Sequence, residues 1–225
     1  MSAPLNVTLD ALSGKWELDK ILSSPTDPLL SLQGMNWVVR KAIGMSSVVL
    51  DIKQTEETGA TTKQPVTYLE ISQTSSTGLP GTTEKRWFDW EPRNQEDHIF
   101  GKCVAQARWV AGIKSDSGRA KPDLEVQTTL VQDPNIGRFL SGEVNGDLSR
   151  SEGFLIESPD DEVREEDKQW VQLFIRSVDG NWTAEQVWGF EEVGNERRYV
   201  RRVVVANKKG EHGLARLVYS YRGGN

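Results

Sequence analysis

Four strand-length runs follow one another at the end of the chain with only short turns between them, and nothing else in the sequence restricts the fold as much. They are "QWVQLFIRSV" (169–178), "WTAEQVWGFEEV" (182–193), "RRYVRRVVVAN" (197–207) and "ARLVYSYR" (215–222), separated by "DGN", "VGNE" and "KKGEHG". Short Gly- and Asn-containing connections of this kind join antiparallel neighbours. Upstream the same texture recurs in "SSVVLDIKQ" (46–54), "VTYLEISQT" (66–74), "TTEKRWFDW" (82–90) and "EDHIFGKCVAQARWV" (96–110). Shorter candidates are "DLEVQTTLV" (123–131), "FLSGEV" (139–144) and "FLIES" (154–158). About ten to twelve strands in series leave many sheet edges to hide, and closing the sheet on itself removes them. The expected fold class is therefore all-β: a closed, antiparallel, up-and-down barrel, with residues 1–225 forming one domain.

One helical insertion interrupts the strands, in "SPTDPLLSLQGMNWVVRKAIGMS". Asp27 followed by Pro28 reads as an N-cap with proline in the first turn. Apolar residues at helical spacing, broken by Gly34 and closed by Gly44, predict two short helices over 28–33 and 35–43. Residues 111–167 are the least regular and are expected to form long loops at one rim, with the charged run 158–168 as a solvated connection.

Composition excludes several classes of function. The formal net charge is -6, and no basic stripe interleaved with aromatics stands out, so no nucleic-acid partner is expected. No run approaches the ~20 apolar residues of a membrane span. The N-terminus has neither the basic nor the apolar region of a secretory signal. The single cysteine, Cys103, allows no intrachain disulfide; these features together suggest a cytosolic (cytoplasmic) protein.

The chemistry-bearing motifs are conspicuous by absence. The two histidines, His98 and His212, lie far apart, and there is no CxxC, HExxH, GxGxxG, P-loop or GxSxG pattern, so no metal and no cofactor are expected. Cys103 and His98 fall on opposite faces of one strand, which argues against a thiolate pair. The cluster Glu96, Asp97 and His98 reads either as a polar turn or as a general acid/base at a pocket rim.

Strand alternation is more informative. Glu84, Arg86, Phe88 and Trp90 share one face of "TTEKRWFDW". A dry core would reject the two charges unless they paired. A ligand pocket accepts them, because pockets are mostly apolar with a few convergent polar groups. On the late strands Trp188 aligns with Gln186 and Phe190, Tyr199 with Arg201, and Tyr219 with Leu217 and Tyr221. Trp37 and Arg40, a turn apart on the second predicted helix, either face solvent or form a lid over a ligand. The candidate ligand-binding set is thus Trp37, Arg40, Glu84, Arg86, Phe88, Trp90, His98, Trp188, Tyr199, Arg201 and Tyr219.

The ordered blocks "LSGKW", "LLSLQGMNWVVRKAIG", "GTTEKRWFDW…EDHIFG" and "WGFEEVGNERRYVRRVVV" resemble a fungal lipocalin-like family, related in appearance to the lipocalin and fatty-acid-binding calycins. The resemblance covers about 12–110 and 168–221. It implies a calycin barrel with Trp16 packed across the floor and a helix pair capping the mouth. It also implies natural-product intermediates, polyketide or terpenoid, as ligands, and supplies no agreed catalytic set. By fold analogy alone, it admits cofactor-free cyclases of the Diels–Alder type. Three readings follow: a barrel that encloses an apolar small molecule, a cofactor-independent cyclase or isomerase acting on such a molecule, or a barrel filled by its own side chains.

Overall fold

Gly14 opens the first strand, β1 (Gly14–Leu18), at φ +138°, a conformation side-chain-bearing residues avoid. A Cβ there would lie 2.9 Å from the Gly223 carbonyl oxygen. The glycine therefore lets the two ends of the chain approach, and Trp16 beside it turns inward. The computed structural model describes residues 1–76, 81–114, 120–156 and 169–224. After β1 come α1 (Asp27–Leu32), α2 (Trp37–Met45), β2 (Val48–Thr58), β3 (Pro65–Ser75) and β4 (Thr82–Trp87). Then follow β5 (Arg93–Asp97), β6 (Gly101–Val110), the small hairpin β7 (Gly112–Lys114) and β8 (Ala120–Pro122), and α3 (Pro134–Leu140). The last four strands are β9 (Trp170–Ser177), β10 (Trp182–Val193), β11 (Glu196–Asn207) and β12 (His212–Gly223).

Ten strands form one antiparallel sheet in the order β4-β3-β2-β1-β12-β11-β10-β9-β6-β5. The chain between β4 and β5 draws the two free edges together. Phe88 N–H donates to the Thr67 carbonyl (3.0 Å) and Trp90 N–H to that of Ala107 (2.8 Å), while Asp89 forms a bridge with Arg108. The result is a nearly closed barrel of the calycin type, as the sequence pattern predicts. The long segment 96–110, expected as one strand, is two: Asp97 Oδ1 accepts from the Ile99 and Phe100 N–H groups, and the chain turns between β5 and β6.

The floor is aromatic. Trp16 is fully buried against Tyr199 (5.2 Å between ring centroids) and Tyr221 (5.0 Å), and its indole N–H donates to the Leu12 carbonyl. Ala3, Val7, Leu9 and Leu12 of the N-terminal segment close this end from below. At the other end α1 places Leu29 against Trp182, Val203 and Ala215. Thr26 rather than Asp27 precedes α1, Gly34 (φ +79°) ends its turn, and α2 runs through Gly44 to Met45.

The irregular middle departs from expectation. Residues 123–131 and 139–144 join no sheet as strands; Phe139 and Leu140 belong to α3. Leu155 N–H makes one bond to the Phe190 carbonyl, and Ile156 is the last described residue before 169. The charged run 158–168 lies outside the described residues. What the middle does instead is cover the outer face of β9–β11. Ile136, Phe139, Leu140, Val144 and Phe154 pack with Trp170, Val187 and Val204 into a second core. Buried Glu185 on β10 accepts from the Gln127 and Thr128 backbone N–H groups and from Gln172 Nε2, pinning the extended stretch to the sheet. Among the described residues no helix is long and apolar enough to cross a membrane.

Candidate functional site

Inward-facing residues of β10, β11 and β12 line up in rows because antiparallel partners share a face. One row is Phe190, Tyr199 and Tyr219; the next is Trp188, Arg201 and Leu217; the third is Gln186, Val203 and Ala215. Across the barrel, β4 contributes Glu84 and Arg86, and β5 contributes Gln95 and Asp97. Between these walls and below α1 lies a cavity of about 470 Å³, within the range of small-molecule pockets. Leu29, Leu30, Ile175, Trp182, Ala184, Val203 and Leu217 give it an apolar body, and Arg86, Arg201, Gln186 and Tyr219 a polar end. A more open groove of about 840 Å³ runs outside, between α1 and the β9–β10 and β11–β12 turns, with Gln33 and Trp182 bordering both spaces.

The two arginines are buried yet incompletely paired. Arg86 is 3% exposed. Its Nη2 contacts Glu84 (3.1 Å), its Nη1 donates to Gln95 Oε1 across the β4–β5 gap, and its Nε has no partner among the described residues. Burial, with Arg201 nearby, holds its pKa below the usual arginine value against the opposing pull of Glu84. Arg201 is 4% exposed. Its Nε donates to Tyr199 Oη (2.9 Å), its guanidinium lies over the Trp188 ring (4.2 Å to the centroid), and Nη2 is unpaired among the described residues. Among the described residues no carboxylate forms an ion pair with it. Burial pushes the Tyr199 and Tyr219 phenols up, so both stay neutral O–H groups near pH 7. The cavity wall therefore carries two buried guanidinium groups, each with one N–H unpaired among the described residues, beside the carboxylates of Glu84 and Asp97.

Cys103 also lines the cavity. Burial, with Asp97 adding to it, raises its thiol to about 11, so it stays protonated near pH 7 and is a poor nucleophile. Among the described residues there is no cluster of His, Cys, Asp and Glu able to hold a metal ion.

The structure brings Glu84, Arg86, Arg201 and Tyr219 together on the cavity wall, with Trp188 and Tyr199 directly behind Arg201. It separates the others. Phe88 lies below the cavity in the core, edge-on to Trp109 (5.0 Å). Trp90 does not share the Arg86 face: β4 ends at Trp87, and Trp90 takes φ +61° and packs under the Arg108 guanidinium (4.4 Å). Trp37 is 62% exposed on α2, and no residue of that helix is buried. Arg40 ties α2 to α1 through Asp27 (3.3 Å), Ser31 and the Met35 carbonyl, so neither forms a lid over the cavity. His98 sits in the β5–β6 turn and does not line the cavity, and Asp97 beside it spends one carboxylate oxygen capping that turn. Sequence reasoning missed Gln95 and Cys103 as wall residues and Gln186 as a wall donor; the period-2 alternation of β5, β6 and β10 was the available signal.

No protein-family model matches the chain. Two curated fungal proteins are similar along almost its whole length. Pericyclase pydY of Acremonium sp is 26% identical over 225 residues, spanning 99% of this chain and 98% of that protein. Probable pericyclase scpY of Mollisia scopiformis is 23% identical over 222 residues, spanning 99% and 95%. Among solved structures, the Schistosoma mansoni fatty acid binding protein in complex with arachidonic acid superposes with a TM-score of 0.51 at 10% identity, covering 96% of this chain and 99% of that one. A mutant of the fluorescent protein UnaG gives 0.51 at 12% identity, covering 95% and 98%. At such identities these two show the fold alone: a calycin barrel of the fatty-acid-binding type.

Proposed function

We propose that the protein is a pericyclase: it encloses an apolar, unsaturated natural-product intermediate and accelerates its cyclisation without forming a bond to it. The observation that carries this reading is the pair of buried guanidinium groups, Arg86 and Arg201, on the wall of a cavity whose body is lined by Leu29, Leu30, Ile175, Trp182, Val203 and Leu217. The full-length similarity to two pericyclases supports it.

A pericyclic step moves electrons around a ring of atoms in one event, so it requires no nucleophile. What lowers its barrier is a folded reactive conformer and withdrawal of electron density from the unsaturated partner. Holding a near-attack conformer accounts for up to roughly 7–11 kcal/mol in favourable cases. The apolar wall of Leu29, Trp182, Val203 and Leu217 supplies the shape. A carbonyl oxygen conjugated to the reacting double bond gains negative charge in the transition state. N–H donors already aimed at that position in a dry site stabilise it, each worth roughly 10²–10³ in rate. Arg86 and Arg201 fill this role, and the protonated Cys103 thiol does not trap an electrophilic substrate.

The test is a panel of linear dienes tethered to enones, which cyclise slowly unaided. Wild-type protein should accelerate at least one and change its ratio of stereoisomers, and Arg86→Met and Arg201→Met should each lose most of that effect while keeping the native near-UV spectrum. Tight binding of the panel with unchanged rates and isomer ratios would make the protein a carrier and sink the proposal.

A further inference from the structure

The inner cavity and the outer groove meet at Trp182. Its ring lines both, and Gln33 is the second residue they share. α1 completes the partition, with Leu29 on the cavity side and Leu32 on the groove side. That helix is seated closely on β12: a Cβ on Gly213 would lie 3.2 Å from Leu32 Cδ1 and 3.4 Å from Leu29 Cδ1. The Trp182 backbone is fixed as well. Its N–H donates to Ser177 Oγ (3.1 Å), and that hydroxyl donates back to the Trp182 carbonyl (3.3 Å). The ring is held differently. It stands edge-on to Phe100 (6.1 Å between centroids), packs in the Leu29 cluster, and makes no indole hydrogen bond among the described residues. A ring held by apolar contact alone, with Gln33 beside it, divides the two volumes.

The sheet register puts this ring far from Arg201. Arg201 pairs with Trp188, and Trp182 pairs with Asn207 at the other end of the same two strands. That separation is roughly 20 Å at the rise of a strand. A ligand anchored deep in the barrel therefore runs its chain toward Trp182, past Leu217, Val203, Ala184 and Leu29. Beyond the ring the lining changes to charge, with Asp179, Lys208, Lys209, Glu211 and His212. A chain that just fills the inner cavity buries all its carbons. A longer one must press on the indole or pass it into the polar groove, and neither gains apolar burial.

We propose that Trp182 is a specificity-determining residue: its ring is the end wall of the cavity and sets the longest apolar chain that the protein accepts. This deepens the pericyclase reading and rests on it for the direction in which the substrate lies. For a reaction that folds an unsaturated chain on itself, an end wall also confines. A chain that is too short leaves its reacting ends room to separate. A chain that matches the wall is held in compact conformers, with the reacting atoms close together.

The test is calorimetric titration of the full-length protein with unbranched saturated carboxylic acids of increasing chain length. For wild-type protein, affinity should rise about fourfold per added methylene up to a limiting length and then stop rising. Trp182→Ala joins the cavity to the groove. It should bind acids about two carbons past that limit at least ~10-fold more tightly than wild-type protein does, and short acids no better. Trp182→Leu is the milder change, used if circular dichroism shows the alanine protein unfolded, and should move the limit in the same direction. Adding Gln33→Trp to either variant returns a ring to the partition and should restore the wild-type limit. A limit that moves equally with and without Gln33→Trp would show a general loosening of the mouth and overturn the assignment. So would an unchanged limit in a folded Trp182 variant, a wild-type affinity that rises without limit, or binding of none of the acids. If the limit moves but wild-type protein accelerates no tethered diene, the pericyclase reading fails and the Trp182 assignment stands as a binding specificity. If wild-type protein accelerates dienes and Trp182→Leu accepts the same chain lengths, the Trp182 assignment alone fails.

Discussion

Arg201 and Arg202 are adjacent in sequence and point to opposite faces of β11, and their surroundings predict opposite responses to the same substitution. Arg202 is fully buried outside the barrel and fully used. Its Nε pairs with Glu191 (2.6 Å), Nη1 donates to the Phe139 and Val144 carbonyls, and Nη2 donates to Ser151. Arg202→Met leaves buried Glu191 with only the longer Arg216 contact (3.4 Å) and strands three further acceptors, and should cost about 3–5 kcal/mol in urea denaturation. Arg201→Met removes a buried charge that no carboxylate among the described residues pairs with directly, Glu84 acting on it only from a distance. It should leave stability unchanged or raise it by about 1 kcal/mol, while weakening an anionic apolar probe such as cis-parinarate far more than its methyl ester. A large destabilisation by Arg201→Met would mean that its contacts with Tyr199 and Trp188 are structural. Cys103 gives a second prediction. Its folded pKa of about 11 lies above the ordinary 9.0. Two units correspond to roughly 100-fold less thiolate at pH 8, so an aromatic disulfide reagent should react at least that much more slowly with native than with unfolded protein. The linked stability is fully present below pH 9 and is lost as pH rises through about 11.

The elements differ in how they are held. β10 has both faces covered: the cavity wall inside, and Phe154 and Trp170 outside. Gly189 is where the outer layer comes closest, and a Cβ there would lie 2.5 Å from a Phe154 ring carbon and 2.8 Å from one of Trp170. Gly189→Ala should displace the segment around Phe154 and cost about 1–3 kcal/mol, with cavity ligands still bound. Thermal denaturation alongside fluorescence titration checks both parts, and an unchanged midpoint would show that the layer yields freely. The outer layer is also where sequence reading failed at this scale. "DLEVQTTLV" alternates like a strand, but it finds no ladder partner because β9–β11 already pair with one another; it lies along the sheet face and hangs from Glu185. "FLSGEV" reads as extended until Asp133, whose side chain accepts from the Asn135 N–H, starts α3 ahead of it.

In the whole molecule, β11 links the cavity to the outer core, since Arg201 and Val203 face inward while Arg202 and Val204 face outward. The barrel should not melt apart from its cover. Far-UV circular dichroism and tryptophan fluorescence should report one coincident transition; two separate midpoints would mean that the middle of the chain is an independently stable layer. The three C-terminal turns and the inward parity of Trp188, Arg201 and Tyr219 were legible in the sequence, because turn chemistry and the two-residue period of a strand are local. So was the packing of Gly14 and Trp16 at the floor, through the family resemblance. Parity broke down at Trp90, where the chain leaves β4 and bends to stitch the barrel shut, and with it went the face that Trp90 was expected to share with Arg86. Three things only the tertiary structure decided: the seam between β4 and β5, the cover on β9–β11, and the spare hydrogens on Arg86 and Arg201. Each depends on groups brought from distant parts of the chain, and whether a buried donor is spent or free is a property of those neighbours and not of the residue that carries it.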